Sequence, residues 1–146
     1  MPDPRDPLEL AARALRERDR TKHELDERLA RAGVEADARA AALEQLAGYG
    51  YVDDLRVATR RAETLAGRGH GDAAIRADLE ARGTAADAVE QALTALPRES
   101  ERARALAERD GRTPKTARRL AAKGFSAEAV EEALGPDVAS GNRDDV

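Results

Sequence analysis

Three stretches of this chain place the same residues at the same intervals, and any fold has to satisfy all three. Ala14 to Gly33, Thr64 to Gly83 and Ala105 to Gly124 align over twenty residues without a gap. Leu15, Leu65 and Leu106 each stand eighteen residues before the glycine, and Leu29, Leu79 and Leu120 stand four before it. Ten residues after each glycine come Leu43, Leu93 and Leu134. Self-similarity at this period marks a repeat architecture, in which units too small to bury an apolar face alone do so by stacking.

Each copy reads as three helices. In the first, an opening helix spans about Asp6 to Arg18. Thr21-Lys22-His23-Glu24 is then a T-x-x-E capping box, in which hydroxyl and carboxylate each satisfy a free backbone N–H. Leu25 and Leu29 lie on one face of the second helix, which ends at Gly33, and a third helix runs from about Glu35 to Ala47. In the second copy Asp53 or Asp54 is the N-cap, with Leu55, Ala58, Ala62 and Leu65 on the inner face. Gly67, Gly69 and Gly71 read as a flexible turn, and Thr84 to Asp87 as the next start signal. Thr113-Pro114 is a cap followed by proline at the first helical position, Ser126 caps the last helix, and Gly135-Pro136 stops it. The expected fold is therefore all-α. Three tandem three-helix, helix-turn-helix-like repeats (6–48, 53–96 and 98–135) form an elongated curved array, followed by an acidic disordered tail at 136–146.

Composition agrees with helices and limits the core. Charged residues make up 37% and aromatics only 2%: Tyr49, Tyr51 and Phe125. Leu, Ala and Val must supply the interior. At about 25 cal/mol per Å² such a core stabilises modestly unless neighbouring units share faces. There is no cysteine, which excludes disulfides and thiolate chemistry. No apolar run reaches the roughly 20 residues that span a bilayer, and no signal peptide is evident, so a cytoplasmic protein without membrane contact is expected.

Catalytic patterns are not found. His23 falls inside the capping sequence, His70 lies between two glycines, and neither has ligand spacing to carboxylates. Ser100, Ser126 and Ser140 lack a histidine in a suggestive context. Gly67-Arg68-Gly69-His70-Gly71 lacks the strand and Lys-Ser/Thr ending of a phosphate loop. Asp53-Asp54 reads as a helix cap, both carboxylates favouring the positive end of the helix. No catalytic residue, metal or cofactor is expected.

Charge is informative despite the overall −4. Arg98 to Lys123 holds nine bases against four acids, whereas Gly124 to Val146 holds six acids and one base. Candidate partner-binding residues are Arg56, Arg60, Arg61 and Arg68, with Arg102, Arg112, Lys115, Arg118 and Arg119 from the third copy. Two readings stand: solvated helix faces balanced by nearby glutamates, or a contact to phosphates or an acidic protein surface.

The segment Gly50-Tyr51-Val52-Asp53-Asp54 resembles the Gly-Tyr-(Ile/Leu/Val)-Asp-Asp motif of the RecX family of recombinase regulators. The resemblance extends from about Leu8 to Leu134, through Arg20 to Leu25, Gly83, and Lys123-Gly124-Phe125-Ser126. The chain departs from the family at Val57, where an aromatic residue is usual, and at the less basic Gly69-His70-Gly71-Asp72. What the resemblance implies is a protein that binds RecA-type recombinase filaments on single-stranded DNA; a monomer is expected. It would lodge in their groove and mostly inhibit ATP hydrolysis, strand exchange and co-protease activity, with weak direct DNA contact. A DNA-binding helical-repeat protein and a generic helical adaptor are the competing expectations.

Overall fold

The computed structural model describes residues 6–140, and these form ten helices with no strand among them. They are α1 (Pro7–Glu17), α2 (Lys22–Arg31), α3 (Ala36–Gly48), α4 (Asp54–Gly67) and α5 (Asp72–Ala81). Then follow α6 (Ala86–Thr94), α7 (Glu99–Asp110), α8 (Pro114–Ala122), α9 (Ala127–Leu134) and α10 (Pro136–Ala139). The all-α class holds.

Local chemistry accounts for most helix ends. Asp6, Thr21, Asp53, Thr113 and Ser126 each accept a backbone N–H two or three residues on. Thr21 and Glu24 complete the reciprocal box, at 3.0 and 2.9 Å. Each such cap stabilises by about 1 kcal/mol. Pro7 and Pro114 occupy first-turn positions where no intrahelical N–H is needed.

The helices fall into three groups, each around its own buried cluster. Ala11, Ala14, Leu25, Leu29, Leu43, Leu46 and Val52 make the first. Ala58, Ala62, Leu65, Ile75, Leu79, Val89 and Leu93 make most of the second. Ala103, Ala107, Leu120, Phe125, Val130 and Leu134 dominate the third. Alanines where helices cross allow close approach, so aliphatic side chains suffice to fill these small cores.

Polar contacts link neighbouring groups, and the two joints follow one plan. At the first, the Thr21 hydroxyl donates to the Arg82 carbonyl at 2.7 Å. At the second, the Gly71 amide donates to the Lys123 carbonyl at 2.8 Å. Arg82 and Lys123 each precede a glycine that ends the second helix of its group. A methyl group on Gly83 would collide with the His23 side chain, and one on Gly124 would lie 2.7 Å from the Ala74 amide nitrogen.

A carboxylate spans each joint. Asp54 accepts from the amides of Lys22, at the start of α2 (2.9 Å), and of Ala85, before α6 (3.3 Å). Glu99 accepts from Asp72 N at the start of α5 (2.6 Å) and from Ser126 N before α9 (3.3 Å), and it also takes the Ser126 hydroxyl at 2.9 Å. Each acid thus satisfies orphan donors of two helix N-termini, where negative charge is favoured.

Several expectations need correction. Leu55 does not line the inner face of α4; it is 40% exposed, and Val57 is buried instead. Ala85, not Thr84, occupies the cap position of α6, and the buried Thr84 hydroxyl finds no partner. Gly67 to Gly71 is no mere flexible turn, because Gly71 is buried against Gly124 and Phe125. The chain does not become an irregular tail at Pro136, since proline is well suited to begin α10, and Val138 and Ala139 pack on the third core. The remainder of the expected tail, 141–146, lies outside the described residues.

The glycines separate two costs. Gly33 has φ +86° with open space around it, whereas Gly124 has φ +97° and a neighbour's backbone against it. Gly33→Ala is expected to cost about 1–2 kcal/mol from the left-handed backbone alone. Gly124→Ala should cost a further 1–3 kcal/mol or so from overpacking. Urea denaturation of both variants checks this; equal losses would mean that the joint is not tightly packed.

Candidate functional site

The Gly50 to Asp54 segment links the first group to the second, and most of it is occupied with structure. Val52 is buried in the first core. Asp53 caps α4 through Arg56 N at 3.1 Å. Asp54 clamps α2 and α6, a role beyond favouring the start of its own helix. The Gly50 carbonyl accepts from the Arg56 guanidinium at 3.2 Å. That leaves Tyr51 facing outward, 60% exposed, beside Tyr49 at 67%. Their ring centroids are 6.1 Å apart, inclined at 53°. Next to them a groove of about 420 Å³ is lined by Ala12, Leu15, Arg16, Leu46 and Tyr51. The sequence did not single out Tyr49 as exposed and placed Leu55 on the inner face, because nothing local marks an apolar side chain as outward-facing.

The nine candidate basic residues do not form one surface. Arg61 makes a two-pronged ion pair with Asp78, both contacts at 3.0 Å. That hydrogen bond raises the guanidinium pKa and holds the Asp78 carboxyl below the usual range. Arg102 also turns inward. It bonds Asp72 at 2.8 Å and the Pro97 carbonyl at 2.9 Å, and sits over the Phe125 ring, 5.8 Å from its centroid. Both cations are committed inside the protein. Arg60 is 70% exposed and pairs with Asp19 at 3.0 Å across the first joint, while Arg68 is exposed at the end of α4.

Arg112, Lys115, Arg118 and Arg119 remain as a cluster along α8 and the turn before it. All four are exposed. Lys115, Arg118 and Arg119 stand at i, i+3 and i+4, which puts them on one helix face. Arg119 lies 3.6 Å from Asp110; the other three have no ion pair among the described residues. Such a face can hold an extended anion, and Asp110, already bound by Arg109 at 2.9 Å, neutralises little of it.

At the second joint His70 has its pKa lowered, first by desolvation and then by the nearby Lys123 and Arg68 cations. Among the described residues no cluster of three or more acidic or histidine side chains is placed to hold a metal ion. No described helix is long and apolar enough to cross a membrane.

Similarity to known proteins bears directly on the motif and the fold. A regulatory protein RecX of Xanthomonas campestris is 39% identical over 87 residues, covering 60% of this chain and 54% of that protein. A regulatory protein RecX of Acidithiobacillus ferrooxidans is 41% identical over 78 residues, covering 53% and 52%. The crystal structure of RecX from Lactobacillus salivarius superposes with a TM-score of 0.78 at 20% identity, over 88% of this chain and 92% of that one. Over the matched region the chain is similar in sequence to RecX regulatory proteins, and it shares the fold of the RecX crystal structure.

No family model matches the chain. The matched region spans about half the length of the curated RecX relatives. A second crystal structure, of a regulatory protein RecX, gives a TM-score of 0.68 at 23% identity, over 88% of this chain and 71% of that one. These two structures bear on the fold alone: the chain shares their all-α architecture.

The lowered His70 pKa sets a direction for stability. The unfolded chain binds the proton more readily, so stability rises with pH through the ordinary histidine range near about 6.5 and levels off above it. Urea midpoints measured from pH 5 to 7.5 should rise in the parent protein. That part of the slope should disappear in His70→Gln; an unchanged slope would assign it to other groups.

Proposed function

We propose that the chain is a regulator that binds RecA-type recombinase filaments on single-stranded DNA and mostly inhibits their ATPase, strand-exchange and co-protease activities. Similarity to regulatory proteins named RecX supports this reading, and the observation that carries it is the exposed face of α8. Arg112, Lys115, Arg118 and Arg119 are spared from internal pairing, apart from the long contact of Arg119. Such a face suits the phosphates of a nucleoprotein filament better than a small substrate.

On this reading the three helix groups are tandem units, 6–48, 53–96 and 98–135, arranged as an elongated curved array able to follow a filament groove. The protein acts as a monomer in the cytoplasm, without catalysis or a cofactor. Its contact to DNA is weak and is made through the filament. Arg56, Arg60 and Arg68 flank the first two groups and are secondary contacts, while Arg61 and Arg102 are withdrawn from the binding surface by their internal partners.

The expected outcome is a fall in the single-stranded-DNA-dependent ATPase of the cognate recombinase at substoichiometric amounts of this protein. Charge reversal of Arg118 with Arg119 should weaken the effect more than reversal of Arg60 with Arg61. Absence of inhibition together with absence of co-sedimentation with filaments would falsify the assignment.

A further inference from the structure

The two joints show what one helix group offers the next. On the upstream side, the N-cap residue of the second helix is buried: Thr21 at the first joint and Gly71 at the second. On the downstream side, the carbonyl before a left-handed glycine accepts from that residue, at 2.7 and 2.8 Å. The turns that carry these carbonyls are covered accordingly, ending in the buried Thr84 and Phe125.

Both halves of a third such joint stand open, one in the first group and one in the last. The first group has the same turn, with Gly33 at φ +86°, yet Ala32 and Gly33 are exposed and Val34 is only half-buried. Among the described residues nothing lies within 4 Å of where a Gly33 methyl group would stand, whereas His23 and Ala74 press on Gly83 and Gly124. In the last group Thr113, the N-cap of α8, is exposed where Thr21 is buried.

The open halves match in charge and in what they omit. Lys115 holds the place on α8 that His23 holds on α2, where the ring lies over the downstream glycine. Glu35 and Asp37 are exposed beside the Gly33 turn, and neither they nor Lys115 form an ion pair among the described residues. Arg31 precedes the turn, but it aligns with Ala81 and Ala122, which stay exposed beside the joints already made. At those joints Asp54 and Glu99, the first residues of α4 and α7, bind the amide of the first residue of the upstream helix. Pro7 and Pro114 hold those two positions in the open halves, so the acid and the amide it would serve are missing together.

We infer that a second copy of this chain supplies the missing half, so that the start of α8 in one molecule docks on the Gly33 turn of the next. Thr113 meets the Ala32 carbonyl, and Lys115 faces Glu35 and Asp37. The two surfaces differ, so the contact is head to tail and builds rings or open chains rather than a twofold dimer. It has no clamping carboxylate and no covalent linker to offset the loss of free motion. Monomers therefore prevail in dilute solution, and assemblies form where copies are crowded. The contact involves neither recombinase nor DNA, and so goes beyond the proposed function.

The chain has no cysteine, so Ala32→Cys and Arg112→Cys, both at exposed sites, can test the contact. The two variants are mixed at about 1 mM, the order of concentration that a short linker supplies, and treated with a short bis-maleimide. The mixture should give at least fivefold more covalent dimer than either variant alone, and high salt should reduce that excess. Glu35→Lys with Asp37→Lys, added to the first variant, should abolish it, and Lys115→Glu in the second should restore it. A mixture that links no better than its components overturns the inference, as does a parent chain that sediments as a monomer at that concentration. A loss by charge reversal that the opposite reversal does not restore overturns the pairing of these two faces.

Discussion

The arrangement of the helix groups rests first on two carboxylates placed between helix ends, with backbone bonds and ion pairs beside them. Asp54 and Glu99 each bind amides of two N-termini from different groups, and among the described residues each hydrophobic cluster stays within one group. A charged acceptor for backbone N–H is roughly twice as strong as a neutral one, and it lies where both helix dipoles favour it. The glycine turns at Gly83 and Gly124 let the backbones approach closely enough for these short bonds to form. Each group folds around its own core, and the joints decide how the groups face one another.

The groups themselves were legible in the sequence. Of the leucines at fixed distances from Gly33, Gly83 and Gly124, all are buried except the partly buried Leu15 and Leu106, and Thr21, Thr113 and Ser126 cap where their spacing says they should. These signals are local, and each carries its own physical cause within four residues. The joints were not legible, because their partners are far apart and not at repeating distances. Asp54 lies 31 residues before Ala85, whereas Glu99 lies 27 before Ser126. Asp54 opens α4 eleven residues before Leu65, whereas Glu99 opens α7 seven residues before Leu106, so the clamping acid shifts against the aligned leucines and glutamate replaces aspartate. An alignment by leucine and glycine therefore overlooks it.

The candidate surface was legible only in part, for a related reason. Counting arginines finds charge but not its partners. Arg61 and Arg102 looked like their neighbours until the structure placed Asp78 and Asp72 against them. The α8 cluster survives because its acidic neighbours in sequence lie on other helices or are already paired. The RecX-type motif proved to be mainly a structural joint, with Tyr51 as its outward-facing member. The exposed tyrosines at the first joint and the arginines of α8 keep a fixed relation only if the joints hold the groups in place.

That requirement can be measured directly. The chain has no cysteine, so spin labels at Ala40→Cys on α3 and Ala121→Cys on α8, both exposed, report one distance between the first and third groups. Pulsed dipolar spectroscopy should give a single narrow distribution in the otherwise unaltered protein. It should broaden when Asp54→Ala and Glu99→Ala are added, with helical content unchanged. A distribution already broad with both carboxylates present, or equally narrow without them, would contradict the claim that these two clamps set the arrangement of the fold.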